Sequence, residues 1–179
     1  MKDIYQWELL YSEEFGETHD FSGVRIPVNG DFTRPIIAAN GMTLNRAYDT
    51  CAKKFNCWRY VDNLDKNIPT NDRTPTKTYA VCVRDRVEAD EELSNLSADD
   101  LTKQKIAGIT LLERLLLELK YFRETGKHLD IKNVTLCSGS RYAGGNVPNA
   151  YWYDCKFEVS WDYRDCRYPF LRSRAVSLL

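Results

Sequence analysis

Histidine is scarce in this chain of 179 residues: only His19 and His128 occur, far apart and in polar or loop-like contexts. A histidine-ligated zinc site and a Ser-His-Asp arrangement both need imidazoles gathered at one place, so neither is expected, and both histidines are assigned to the surface. Long apolar runs are missing too. None approaches the roughly twenty residues that cross a bilayer, and Met1-Lys2-Asp3-Ile4-Tyr5 does not begin a signal peptide. The expectation is a chain without membrane insertion, cytoplasmic or virion-associated. Nor is there an excess of either charge. A formal net charge of -1 gives no general attraction toward a phosphate backbone, so no nucleic-acid partner is expected. A phosphate-cradling glycine loop is absent, because Gly144-Gly145 lies between strand-like segments with no helix following and reads as a turn. The six cysteines show no CxxC spacing. Reduced thiols are expected, with Cys51, Cys57, Cys82 and Cys137 as mostly buried scaffold residues. There is no internal repeat and no low-complexity tract.

What is present is a globular composition, 43% hydrophobic and 28% charged, in a length suited to one domain spanning 1–179. Trp7-Glu8-Leu9-Leu10-Tyr11 reads as a first strand, followed by polar, glycine-punctuated loops through Gly41. Leu44, Ala47, Tyr48, Cys51 and Phe55 recur at helical spacing behind Thr43, predicting an amphipathic helix over 44–55 with Thr43 as its cap. Residues 62–104 read as an insertion, broken by an extended run at Tyr79-Ala80-Val81-Cys82-Val83. Its acidic stretch Glu88-Ala89-Asp90-Glu91-Glu92 reads as a solvated face, and Ser97 with Asp100 resembles a capping box. Thr110 with Glu113 is a second capping box. It opens the strongest helix, which carries Leu111, Leu112, Leu115, Leu116, Leu119 and Phe122 and stops at Gly126. Val134-Thr135-Leu136-Cys137, Ala150-Tyr151-Trp152, Lys156 to Trp161 and Leu171 to Val176 then read as strands of an antiparallel sheet. The fold class is therefore α+β, with two main helices packed on antiparallel sheet.

The C-terminal forty residues carry an unusual pattern. Tyr142, Ala143, Ala150, Tyr151, Tyr153, Asp154, Cys155, Phe157, Ser160, Asp162, Tyr163, Asp165, Cys166, Tyr168 and Phe170 are all residue types encoded by codons ending in a pyrimidine. An Asn codon whose two adenines were randomised could become any of them. It could never become Trp, Lys, Glu, Gln or Met. Trp152, Lys156, Glu158 and Trp161, which such a process cannot make, are interleaved among them. Strand propensity explains the tyrosines and phenylalanines but not Tyr153-Asp154-Cys155 or Asp165-Cys166, because Asp is depleted in strands.

At these residues the chain resembles the variable (target) proteins of diversity-generating retroelements, in which adenine-specific mutagenesis during reverse transcription rewrites a ligand-binding surface. The resemblance lies in Cys137-Ser138-Gly139-Ser140-Arg141, Val147-Pro148-Asn149, the paired Trp152 and Trp161, and Leu171-Arg172-Ser173-Arg174. It continues upstream through Cys57-Trp58-Arg59-Tyr60, Tyr79 to Arg86 and Gly108 to Arg114. It implies a C-type lectin fold with paired N- and C-terminal strands and a variable region over about 134–179. Trp152 and Trp161, whose codons a randomised Asn position cannot produce and whose aromatic area suits a core, are expected to be largely buried scaffold.

The fifteen pyrimidine-type positions are then the ligand-binding set, expected to project mainly onto one exposed face. Their composition suits binding, since Tyr supplies rigid amphipathic area and Ser and Asp adaptable polar contacts. Calcium-dependent sugar binding is not expected. Val147-Pro148-Asn149 and Trp152-Tyr153-Asp154 echo lectin signatures, but Val147 brings no carboxylate and Tyr153 no amide oxygen to a cation that wants six to eight oxygens. No metal and no cofactor are assigned. The expected function is non-catalytic binding of an unknown ligand, a protein or cell-surface molecule, by a monomer. The alternatives are an oxidase like the related formylglycine-generating enzymes, using Cys155 and Cys166, and a fixed viral structural or receptor-binding protein.

Overall fold

The computed structural model describes residues 2–179, and its class is α+β. The first element departs from expectation. Trp7, Leu10 and Tyr11 are buried at the i, i+3, i+4 spacing of one helical face, so the segment is helix α1 (Lys2–Leu10), running into a π turn at Tyr11–Phe15. Its short apolar run carried no strand-length alternation to oppose this. Tyr11 fixes the turn, its hydroxyl donating to Ile37 O at 3.0 Å and accepting from Ala39 N at 2.9 Å.

The loop expected through Gly41 contains strand β1 (Phe32–Ala38). Pro35 interrupts its sequence signal, yet Pro35 pairs in register with Cys82 of β4 (Tyr79–Arg84), and the two form a separate antiparallel sheet. The chain's C-terminal end meets β4 through the Cys82–Ser177 bridge. The expected pairing of N- and C-terminal strands is thus replaced by β1 on β4, with the C-terminal segment on β4's other side.

Helix α2 (Leu44–Ala52) starts at the predicted cap, Thr43 accepting from Arg46 N at 3.2 Å. It ends before Phe55, whose ring instead packs edge-on against Phe122, His128, Trp152 and Phe157. After β2 (Cys57–Arg59), the insertion folds into a single turn, α3 (Leu64–Asn67), and strand β3 (Thr70–Asn71), then β4 and α4 (Ala98–Lys103). Both capping boxes are present, at Ser97 with Asp100 and at Thr110 with Glu113. The long helix α5 (Leu111–Thr125) stops at Gly126 with φ +66°, a left-handed conformation that suits glycine. α5 lies against β1 and along α2, and it also meets the strand β7 described next.

The late strands are β5 (Val134–Leu136), β6 (Ser140–Arg141), β7 (Val147–Tyr153), β8 (Lys156–Asp162) and β9 (Leu171–Ser173). The principal sheet runs β2-β8-β7-β5-β9. It is mixed rather than antiparallel, because β2 joins β8 and β9 joins β5 in parallel. Its inner face, with Ala150, Phe157 and Val159, closes the main core under α5. Its outer face carries a smaller core of Ala98, Val134, Leu136, Val147 and Leu171.

Polar residues hold this frame together. Asp130 is fully buried and accepts from Ala89 N (2.8 Å), Arg114 Nε (3.0 Å), Thr135 Oγ1 (2.5 Å) and Arg174 Nη2 (2.8 Å). Arg114 also pairs with buried Glu118 at 2.7 Å. The acidic stretch expected to be solvated is partly structural, since buried Asp90 pairs with Arg84 and accepts from Ala175 N, both at 2.8 Å. The histidines are partly buried rather than freely exposed. His19 stacks on Phe21. His128 lies between Phe122 and Trp152 and bonds Glu118 at 2.9 Å.

Candidate functional site

Strand parity divides the expected binding residues. On β7 and β8 the pairs Ala150↔Val159 and Trp152↔Phe157 face inward, while Asn149↔Ser160, Tyr151↔Glu158 and Tyr153↔Lys156 face outward. Ala150 and Phe157 are consequently 0% exposed and belong to the core, a correction to their assignment as ligand-binding residues. Tyr142 is also drawn inward, packing against the main core with its hydroxyl buried and unpartnered. Burial pushes that hydroxyl's pKa up to about 12.

The outward residues converge. Tyr151, Tyr153, Ser160, Asp162, Tyr168 and Phe170 line one open groove of about 600 Å³. Val134 and Asn149 contribute to it from the sheet, and Ile131 and Lys132 from the preceding loop. Tyr153 is 65% exposed and Phe170 54%. Cys166 packs beside Tyr151 and Tyr168 on the outer core. Asp154 and Cys155 occupy the β7–β8 turn at φ +48° and +58°, a two-residue hairpin geometry, and both are exposed. Tyr163 and Asp165 are exposed in the loop after β8, and Ala143 in the turn after β6. Ala143 instead lies beside α3, its N donating to Asn67 O at 2.9 Å, and Ala150, Phe157 and Tyr142 turn inward, so the remainder of the expected set lies on or beside the outer face.

A hydrogen-bond chain organises the groove floor. Asp162 Oδ2 accepts from Asn149 Nδ2 at 2.6 Å and from Tyr168 OH at 2.9 Å. Tyr151 OH donates to Glu158 Oε2 at 2.9 Å, and Lys156 sits 3.3 Å from Glu158. Burial and then the neighbouring carboxylate raise both tyrosines' pKa, that of Tyr151 to about 12, so both are donors at neutral pH. Asn149 Oδ1 is buried and has no partner.

Trp152 and Trp161 are half-buried rather than fully buried. The Trp152 ring stacks on His128 with centroids 3.4 Å apart, covering one face and leaving an edge at the groove. Trp161 lies at the end of β8, edge-on to Tyr60 and Tyr163, beyond the reach of α5's core. Of the scaffold cysteines, Cys51, Cys82 and Cys137 are buried and Cys57 is partly exposed. All six are free.

The residues flanking this face were not legible as part of it. Trp58 is paired in parallel register with Glu158 and 43% exposed, so it extends the outer face to the sheet edge. Its alternation with Cys57 and Arg59 was the available signal. Arg164 and Arg167 hold the groove-forming loop against α4 through Asp99 (2.8 Å) and Asp100 (2.6 Å). Arginine also has pyrimidine-ending codons, which could have placed both in the variable set.

The motif residues, by contrast, interlock. Ser138 Oγ and Ser173 Oγ are 2.9 Å apart, and Ser173 Oγ donates to Leu136 O. Ser140 Oγ accepts from Leu111 N at 2.9 Å and donates to Asn71 Oδ1 at 2.6 Å. A Cβ on Gly139 would stand 2.7 Å from Gly108 O, and one on Gly108 only 1.7 Å from Ser138 Oγ. Among the described residues no helix is long and apolar enough to cross a membrane. No family profile, curated protein or solved structure matches the chain.

Proposed function

We propose that this chain is a non-catalytic ligand-binding protein of the C-type lectin type, acting as a monomer on a protein or cell-surface ligand, with a binding face rewritten by a diversity-generating retroelement. One observation carries this reading. Within the same strands and loops, Tyr151, Tyr153, Ser160, Asp162, Tyr168 and Phe170 of the expected set line one groove, whereas the motif residues Ser138, Gly139, Ser140, Ser173 and Arg174 are locked into the frame. Lys156 and Glu158 face outward although no such codon encodes them. Their role is to orient Tyr151. Surface replacements away from caps and cores usually change stability by no more than about 0.5 kcal/mol, which is the tolerance a rewritten face requires.

Sequencing the gene's neighbourhood tests it. The expected finding is a reverse transcriptase gene and a template repeat of the region over about 134–179, with adenines at the codons for the groove residues. Copies from one population should differ at Tyr151, Tyr153, Asp162 and Tyr168 but not at Gly139, Trp152 or Leu171. Variation spread evenly over both groups refutes the proposal.

A further inference from the structure

The groove floor has an unbalanced chemistry: one buried acceptor, Asn149 Oδ1, has no donor, and the Asp162 carboxylate accepts hydrogen bonds but forms no ion pair among the described residues. Asn149 is 4% exposed, and its Oδ1 has no hydrogen-bond partner. The amide cannot be turned to relieve this, because its Nδ2 donates to Asp162 at 2.6 Å and a reversed amide would set carbonyl against carboxylate. A buried acceptor left unpaired costs about 1 to 3 kcal/mol, so a local shift that brought a donor to it would be favoured. Asp162 takes both of its hydrogen bonds on Oδ2, leaving Oδ1 to a ligand. The cations of the same strand and loop are engaged elsewhere: Lys156 with Glu158, Arg164 with Asp99 and Arg167 with Asp100. Lys132 is a single exposed cation on the rim. Around this floor stand Tyr153, Tyr168 and Phe170, the last two with ring centroids 4.7 Å apart.

We propose that this groove binds the guanidinium group of an arginine side chain presented by a protein partner. The inference rests on reading the groove as a ligand-binding face and names what that face takes. A guanidinium is planar, carries five N–H donors and no acceptor, and stacks on aromatic rings. It can pair with the open Asp162 Oδ1 while lying against a tyrosine or phenylalanine face. A lysine ammonium supplies the charge without the planar fork. A neutral hydroxylated ligand supplies donors but leaves the Asp162 charge uncompensated.

The test uses the full chain, labelled with nitrogen-15, titrated with short glycine-serine peptides that carry one central arginine, citrulline, lysine or glutamate. The arginine peptide is expected to shift the amides of residues 149–153 and 158–162. Citrulline, which keeps the shape and loses the charge, should bind about tenfold more weakly, the loss of one charged hydrogen bond. Asp162→Asn should weaken the arginine peptide by about tenfold, and Tyr153→Ala, a change at an exposed ring, by several-fold. Equal binding of arginine and citrulline, tighter binding of lysine or glutamate, or no response to any peptide overturns the proposal. If Asp162→Asn does not fold, the arginine-to-citrulline ratio on the native chain and the Tyr153→Ala result decide. A negative result leaves the diversified-face reading to the template repeat, which no peptide titration touches.

Discussion

Removing the Asp130 carboxylate would take from buried Arg114 and Arg174 the counter-charge they share. Breaking a buried ion pair from one side costs about 3 to 5 kcal/mol, because the remaining charge is stranded. Asp130→Ala should therefore lower unfolding free energy by about that amount in a denaturant titration, whereas Arg164→Ala, at an exposed pair, should cost less than about 1 kcal/mol. Similar losses for the two would show that the network contributes no more than a surface bridge. The tryptophans separate on the same logic. A fully buried ring costs about 3 to 5 kcal/mol when cut to Ala. Trp152 keeps one face against His128 and is only partly buried, so Trp152→Ala should cost about 2 kcal/mol. Trp161→Ala, at a strand end, should cost less. Thermal or chemical melts that reverse that order would contradict the packing described for the two rings.

At the level of elements, the loop over 163–170 borders the outer face and is held mainly from outside the sheet. It is tied to α4 by Asp99 with Arg164 and Asp100 with Arg167. The Arg167 guanidinium, with Ser97, holds the Asp100 carboxyl well below the usual aspartate range. A depressed folded-state value means that the tie is fully present above the ordinary value of about 4 and is lost as pH falls through the depressed one. Backbone amide relaxation should therefore show this loop rigid at pH 7 and pH 5 and mobile only in strong acid. Arg167→Gln should loosen it already at pH 7. A loop equally mobile in both proteins at neutral pH removes the proposed tie. How much of this was readable in the sequence follows from how local each signal is. Caps at Thr43, Ser97 and Thr110 and the stop at Gly126 depend on a few adjacent residues, and all four are as expected. β1 was hidden because Pro35 masks the run, and α1 because a five-residue stretch with four apolar side chains, Trp7, Leu9, Leu10 and Tyr11, fits either period. The parallel joins of β2 and β9, and Trp58's place beside Glu158, are long-range facts that no local pattern encodes. Ala150 and Phe157 were misplaced because codon type says nothing of strand parity. The alternation that puts them with Trp152 and Val159 does.

Across the whole molecule, a buried, hydrogen-bonded frame is set apart from an outer face, and the proposed function requires the first to resist change and the second to accept it. The frame comprises α5 with its leucines, the Asp130 network and the interlocked serines around Gly108 and Gly139. The face comprises Tyr151, Tyr153, Ser160 and Asp162 on β7 and β8, whose opposite side is filled by the core, with Asp154 and Cys155 in the turn between them and Tyr163, Asp165, Cys166, Tyr168 and Phe170 in the loop that follows. Because each β7 and β8 residue has a fixed side, rewriting the outer positions leaves the inner packing untouched. A library scrambled to pyrimidine-ending codons at those eleven positions should yield mostly folded protein. Adding Ala150 and Phe157 to the scrambled set should sharply reduce that yield, since a fully buried Phe truncated to Ala alone costs about 3 to 5 kcal/mol, a large part of a typical domain's stability. A third library scrambled at Leu112, Leu115, Leu116 and Leu119 gives the yield of a damaged core. The first library should separate clearly from the other two in a protease-resistance screen. If it instead folds no more often than the leucine library, the outer face is part of the frame, and a binding surface open to rewriting is not what these strands provide.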